Sequence, residues 1–249
     1  CAACGASGWP LCAACTDQVG VLSAPWCERC GRPWEEPMAS CADCPPRPIA
    51  AARAPFLYAG PVARGIRGMK FSGWRAVGAH LAGGMAEVAA DLLPADVVTW
   101  VPLSRRRRAR RGFDQAEVLA RATAARLGIA VRPLLIRVRD TRAQARAGGP
   151  ERRRALRDAF VPRRGPSDLP ARVLLVDDVL TTGATAAACA SALHRSGASH
   201  VSVLTAARSL GGPVPARCLG TPVRAETSPE ATPLVAEGDV EAWLVVARG

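Results

Sequence analysis

The chain has 249 residues, 49% of them apolar and only 4% aromatic, which is enough for a sizeable core built mainly from Ala, Leu and Val in one large domain or two small ones. Its apolar runs stop short of the ~18 residues that a membrane span requires; the nearest, 76–103, is broken by Glu87, Asp91 and Asp96. The formal charge is +12 with Lys70 the one lysine, so the basicity is arginine, and it implies an anionic partner: a polyphosphate, a nucleic acid or both.

Eight of the ten cysteines lie in the first 44 residues, as four C-x-x-C pairs: Cys1 and Cys4, Cys12 and Cys15, Cys27 and Cys30, Cys41 and Cys44. Each pair turns two thiolates toward one ion, and four thiolates close a tetrahedral structural zinc site. Eight give two sites. Consecutive pairing is the simplest arrangement, and interleaved pairing stays open. A disulfide scaffold is the alternative, and it requires an oxidising compartment. The chain begins at Cys1 without Met, so the expected start lies upstream. No charged-then-apolar segment precedes the cysteines, and a reducing cytosolic setting is expected, where clustered thiols bind metal. A segment this short has little core, so metal binding and folding are expected to be one event.

Residues 45–55 carry Pro45, Pro46, Pro48 and Pro55 and read as a semi-rigid linker. The second domain, 56–208, opens with a short strand ending near Tyr58, a turn at Gly60-Pro61 and then a helix. Lys70, within Met69–Gly73, has two readings: contact with a ligand phosphate, or a solvated side chain. Residues 76–93 read as an apolar helix stopped by Pro94, and 96–101 as a strand. Pro102-Leu103-Ser104 leads into Arg105, Arg106, Arg107, Arg108, Arg110 and Arg111, six arginines in seven residues. This is expected to be a loop at a strand's carboxyl end. Such a run repels itself unless an anion is close, and pyrophosphate, a nucleic-acid backbone and plain solvation are the three readings. Asp114 is a good N-cap for a helix over 115–127. A strand is expected over 131–138, then a basic polar stretch, 137–164, with a short helix near 151–158.

Val173-Leu174-Leu175-Val176-Asp177-Asp178-Val179-Leu180-Thr181-Thr182-Gly183-Ala184-Thr185 holds the chemistry. A buried-strand run ends in two carboxylates, a hydroxyl- and glycine-rich turn follows, and a helix over 184–196 begins. In an open α/β sheet, ligands bind at the carboxyl ends of strands. A tight turn opening a helix there aims N–H groups and the positive helix end at one point, which suits a phosphate. The hydroxyls of Thr181, Thr182 and Thr185 add donors. Asp177 and Asp178 suit a sugar diol or a metal ion beside it. A bare N-cap after a core strand is the plainer reading. No G-x-x-x-x-G-K-[ST] loop and no G-x-G-x-x-G after a strand is present. A strand over 201–206 follows; Cys189 is expected in the core, and His194 near the helix C-terminus. The element order indicates an α/β fold, a mostly parallel sheet flanked by helices. The tail, 209–249, stays unassigned apart from an edge strand over 241–247.

The strand, acid pair and Thr-Thr-Gly turn resemble the phosphoribosyl-pyrophosphate (PRPP) motif of type I phosphoribosyltransferases. With the C-x-x-C pairs, Tyr58-x-Gly60, Lys70-Phe71-x-Gly73, Val101–Ser104, Arg111–Gln115, Gln144, Glu151-Arg152 and Phe160, the arrangement resembles the ComF family of competence-associated proteins over residues 1 to about 208. The resemblance implies a double zinc ribbon at 1–44 ahead of a phosphoribosyltransferase-like domain. It implies that Asp177 and Asp178 hold the ribose hydroxyls, that Thr181, Thr182, Gly183, Ala184 and Thr185 cradle the 5′-phosphate, and that Lys70, Ser104, Arg105 and Arg111 face the pyrophosphate of PRPP, with Mg²⁺. It further implies handling of incoming single-stranded DNA at the inner face of the cytoplasmic membrane, beside a helicase-like partner. Two departures stand out: the family pattern usually has Asn where this chain has Asp114, and the tail after Arg208 lies outside the pattern.

Overall fold

The computed structural model describes residues 1–139, 158–163, 169–211 and 219–220. The landmarks at Gln144 and Glu151-Arg152, the helix near 151–158 but for Asp158, Cys218 and the strand over 241–247 lie outside them.

The core is a mostly parallel sheet. Strand β1 is Val21–Leu22, β2 Ala52–Arg53, β3 Phe56–Leu57 and β4 Val97–Trp100. Strands β5, Leu135–Arg137, and β6, Phe160–Pro162, form a separate antiparallel pair. The long central strands are β7, Arg172–Leu180, and β8, His200–Arg208, and β9 is Leu219–Gly220. The order is β4-β7-β8-β3-β1-β9, with β2 also on β8; β1 joins β3 and β9 antiparallel, and the other pairings are parallel. Side chains alternate across β7. Leu174 and Val176 pack with Val62, Ile66, Leu81 and Leu119 on one face, while Val173 and Leu175 pack with Cys189, Leu193 and Val203 on the other. Cys189 is thus a core thiol, as expected.

Helix α1 is Ala13–Thr16, α2 Gly60–Ser72, α3 Arg75–Val88, α4 Arg105–Arg111, α5 Gln115–Leu127 and α6 Ala184–Arg195. Two expectations are corrected. Gly60-Pro61 is the first turn of α2 and not a turn before it, because proline's missing N–H costs nothing there and its φ suits a helix. The arginine run is helical and not a loop. Arginine is a good helix former, Ser104 stands extended before the run, and Gly112 ends it at φ +74. Asp114 does cap α5, its carboxylate accepting from Ala116 N at 3.1 Å.

Residues 45–55 are woven into the domain. Ile49 and Ala52 are buried, and β2 pairs Ala52 with Val203. Pro55 breaks what would be one strand along β8 into β2 and β3, since proline cannot donate to a ladder. The cysteine-rich segment is woven in too: Ala2 and Val19 join the core beneath α2 and α3, and β1 enters the sheet.

Candidate functional site

Each set of four cysteines forms its own cluster. The sulfurs of Cys1, Cys4, Cys12 and Cys15 lie within 4.8 Å of one another, and so do those of Cys27, Cys30, Cys41 and Cys44. Consecutive pairing is the one the fold adopts. The Sγ pairs Cys4–Cys12, Cys27–Cys44, Cys30–Cys41 and Cys41–Cys44 are 3.7, 3.5, 3.6 and 3.9 Å apart. A tetrahedron with Zn–S bonds of about 2.3 Å has edges of about 3.8 Å, so both cages fit zinc. Backbone amides complete each cage: Ala3 N lies 3.4 Å from Cys1 Sγ, and Cys41 N 3.3 Å from Cys44 Sγ.

The second site lies at the carboxyl ends of β4 and β7. These strands are parallel neighbours in register, Trp100 beside Val176, so the segments leaving them lie side by side. β7 continues through both acids to Leu180. Beyond it Gly183, at φ +72, caps α6, and Ala184 N points to Thr182 Oγ1 at 3.4 Å. The turn encloses a small open cavity of about 50 Å³ lined by Asp177, Thr181, Thr182, Gly183, Ala184, Thr185 and Thr205. Thr181 and Thr182 are exposed there.

The two acids take different surroundings. Asp178 is buried and accepts from Lys70 Nζ at 2.8 Å and from Gln115 Nε2 at 3.0 Å. Gln115 Oε1 in turn accepts from Arg111 Nη1 at 2.8 Å, and the Arg111 guanidinium lies 5.4 Å from the Phe71 ring centroid. Asp177 lines the cavity, and its Oδ1 accepts from Asp178 N at 2.8 Å. Burial first, then the neighbouring Asp178 carboxylate, push Asp177 up to about 8. Asp114, also buried, accepts from Leu103 N at 2.8 Å as well as from Ala116. Burial pushes its carboxyl up to about 6, against the backbone N–H bonds from Leu103, Ala116 and Glu117 that hold it down. Asp114 therefore clips the segment after β4 to α5.

Ser104 and Arg105 stand apart from the Thr turn. They line a cavity of about 410 Å³ with Arg106, Ile136, Arg137, Val138 and Arg139. The structure thus brings Lys70 and Arg111 to the acids, and Ser104 and Arg105 to a second, basic hollow. Sequence reasoning gave no ligand role to Gln115 or Thr205. An i,i+4 relation between Arg111 and Gln115 was the available signal for the first; none pointed to the second.

No family model matches the chain. Among curated proteins it is 33% identical over 216 residues to DNA utilization protein YhgH of Salmonella typhimurium, covering 82% of this chain and 92% of that one. It is 29% identical over 214 residues to the YhgH of Escherichia coli K12 (81% and 92%). It is 28% identical over 210 residues to Competence protein F of Haemophilus influenzae (80% and 90%). Among solved structures it is similar to the glutamine PRPP amidotransferase of B. subtilis, complexed with ADP and GMP, at TM-score 0.38 and 25% identity. That likeness covers 52% of this chain, which spans about a quarter (26%) of the amidotransferase chain. Identity over nearly the full length of the curated relatives decides the family: the chain belongs to the ComF family, with DNA utilization protein YhgH and Competence protein F.

Proposed function

We propose that the chain binds PRPP with Mg²⁺ at the 181–185 turn and acts as a phosphoribosyltransferase-type protein in DNA uptake during natural competence or in nucleotide metabolism. The observation that carries this reading is the cavity at the end of β7, with an acid at its floor and the N-terminus of a twelve-residue helix at its wall. The helix end and the hydroxyls of Thr181, Thr182 and Thr185 receive the 5′-phosphate. Asp177 accepts from the ribose hydroxyls, and Asp178, held by Gln115, stands on the other side of the strand. Lys70 and Arg111 face the pyrophosphate. Carboxylate oxygens are the donors that Mg²⁺ prefers, and the ion would neutralise charge on the pyrophosphate. Rate enhancement then comes from positioning and charge stabilisation, without a covalent nucleophile. Isothermal titration with PRPP and Mg²⁺ tests this. Heat of binding is expected, and it is lost in Asp177→Ala/Asp178→Ala; no heat at millimolar PRPP overturns the reading.

A second reading, compatible with the first, is single-stranded DNA binding without turnover. Arg105, Arg106, Arg137 and Arg139 around one hollow favour it, and so do the names of the relatives. With few aromatic residues the contact is to phosphates and not to stacked bases. On this reading the protein works in the cytoplasm, against the inner face of the membrane beside a helicase-like partner. No described helix is long and apolar enough to cross a membrane. Fluorescence anisotropy at two salt concentrations decides: affinity falls steeply with salt if the reading holds, and salt-independent or absent binding removes it.

A further inference from the structure

Three arginines hold the second cysteine cluster to the domain. Arg29 donates to the carbonyls of Pro45 and Ile49 at 2.8 and 3.2 Å. Arg53 donates to Glu28 O and pairs with Asp91 at 2.8 Å. Arg208 is different. It ends β8, is 2% exposed, and among the described residues has no carboxylate partner. Its guanidinium donates to Cys30 O, lies 3.5 Å from Cys30 Sγ and from Asp43 O, and leaves Nε without an acceptor. A buried, uncompensated cation is costly. Four thiolates on a divalent zinc leave two negative charges, and those would lie within this guanidinium's reach.

The same cluster touches the phosphate turn. Pro45 follows Cys44 directly. A Cβ placed on Gly183 would lie 2.4 Å from Pro45 Cβ, so the turn and the cluster's trailing residue are in close contact. Arg208 pairs with Leu180, the last residue of β7, and Ser209 N donates to Leu180 O at 2.9 Å.

We propose that Arg208 is the counter-charge of the second four-cysteine zinc site, and that through Arg208 and Pro45 the metal load of this one site sets the geometry of the 181–185 turn. Arg208 is a positioning residue, and its consequence for ligand binding rests on the reading of that turn as a PRPP site.

The test uses the full-length chain without PRPP. Arg208→Met should bind the second zinc about 10–100-fold more weakly in a chelator competition, as removal of an outer partner does. Arg208→Lys should recover part of the affinity. In the cobalt-substituted protein the thiolate charge-transfer band should move in Arg208→Met, which a packing defect elsewhere would not cause. In the unaltered protein, stepwise chelation with alkylation of freed thiols shows which cluster has opened. Amide hydrogen exchange over 180–186 should accelerate in step with alkylation of Cys27, Cys30, Cys41 and Cys44, and not of the first four cysteines. Wild-type zinc affinity in Arg208→Met, or exchange in the turn that ignores the second cluster, overturns the proposal. A failed PRPP titration with this coupling intact would instead remove the proposed function and leave the zinc linkage standing.

Discussion

Asp114 holds its proton up to about 6 in the folded chain, against about 3.9 for an unfolded aspartate. The folded state binds that proton more tightly, so the stabilisation is complete below pH ~4 and is lost as pH rises through ~6. The loss amounts to about 3 kcal/mol. Asp114→Asn keeps an acceptor for Ala116 N but sets an NH₂ against Leu103 N, costing about 1–3 kcal/mol. Urea unfolding should show the variant less stable near pH 4 and level with or above the parent at pH 7; a pH-independent difference would sink the argument. Asp177 follows the same sign with a higher midpoint, about 8. If it must be ionised to take ribose hydroxyls or a cation, PRPP affinity tightens by up to about tenfold per pH unit below 8. Titrations between pH 6.5 and 8.5 should show that slope, and Asp177→Asn should flatten it. The Asp114 cap was legible in the sequence because a cap and its helix are adjacent. The Asp178–Gln115 and Asp178–Lys70 contacts were not, because they join residues 63 and 108 positions apart.

Helix α4 puts arginine pairs at i,i+4, Arg106 with Arg110 and Arg107 with Arg111, and places cations at its N-terminus, where the dipole disfavours them. An anion bound in the adjoining hollow would offset both effects. Arg105→Gln/Arg106→Gln should therefore leave the fold intact and lower the salt slope of single-strand binding by about 0.7 for each DNA phosphate that is no longer neutralised; an unchanged slope would place the DNA elsewhere. Reading the run as a loop weighed charge repulsion above helix propensity. The signals that correct it, extended Ser104 before and Gly112 after, are the ordinary brackets of a helix. Reading 45–55 as a linker weighed four prolines above Ile49 and Ala52, whose burial depends on β8, about 150 residues away.

The cysteine-rich segment shares the core and the main sheet with the rest of the described chain. Removing residues 1–44 would strip Ala2, Val19 and Leu22 from buried positions and β1 from the sheet. Val19 and Leu22 alone represent about 3–6 kcal/mol, a large part of a typical domain's 5–15 kcal/mol. The chain 45–249 should then lose its cooperative thermal transition; a well-folded, soluble 45–249 fragment would refute this. Thiol spacing disclosed the clusters from sequence alone, but nothing local disclosed that their connecting segment is a strand of the main sheet. Two residues, Val21 and Leu22, are too short a stretch for alternation to register.

The Lys70–Asp178 pair carries one more implication. In this state each group neutralises the other. A phosphate that recruits Lys70 strands a carboxylate, and a divalent cation that recruits Asp178 releases an ammonium. Each guest therefore prepares the seat of the other, and thermodynamic reciprocity demands that the gain be equal in both directions. Magnesium affinity measured with and without inorganic pyrophosphate should differ by the same factor as pyrophosphate affinity measured with and without magnesium, after correction for their complex in solution, and Lys70→Met should shrink that factor toward one.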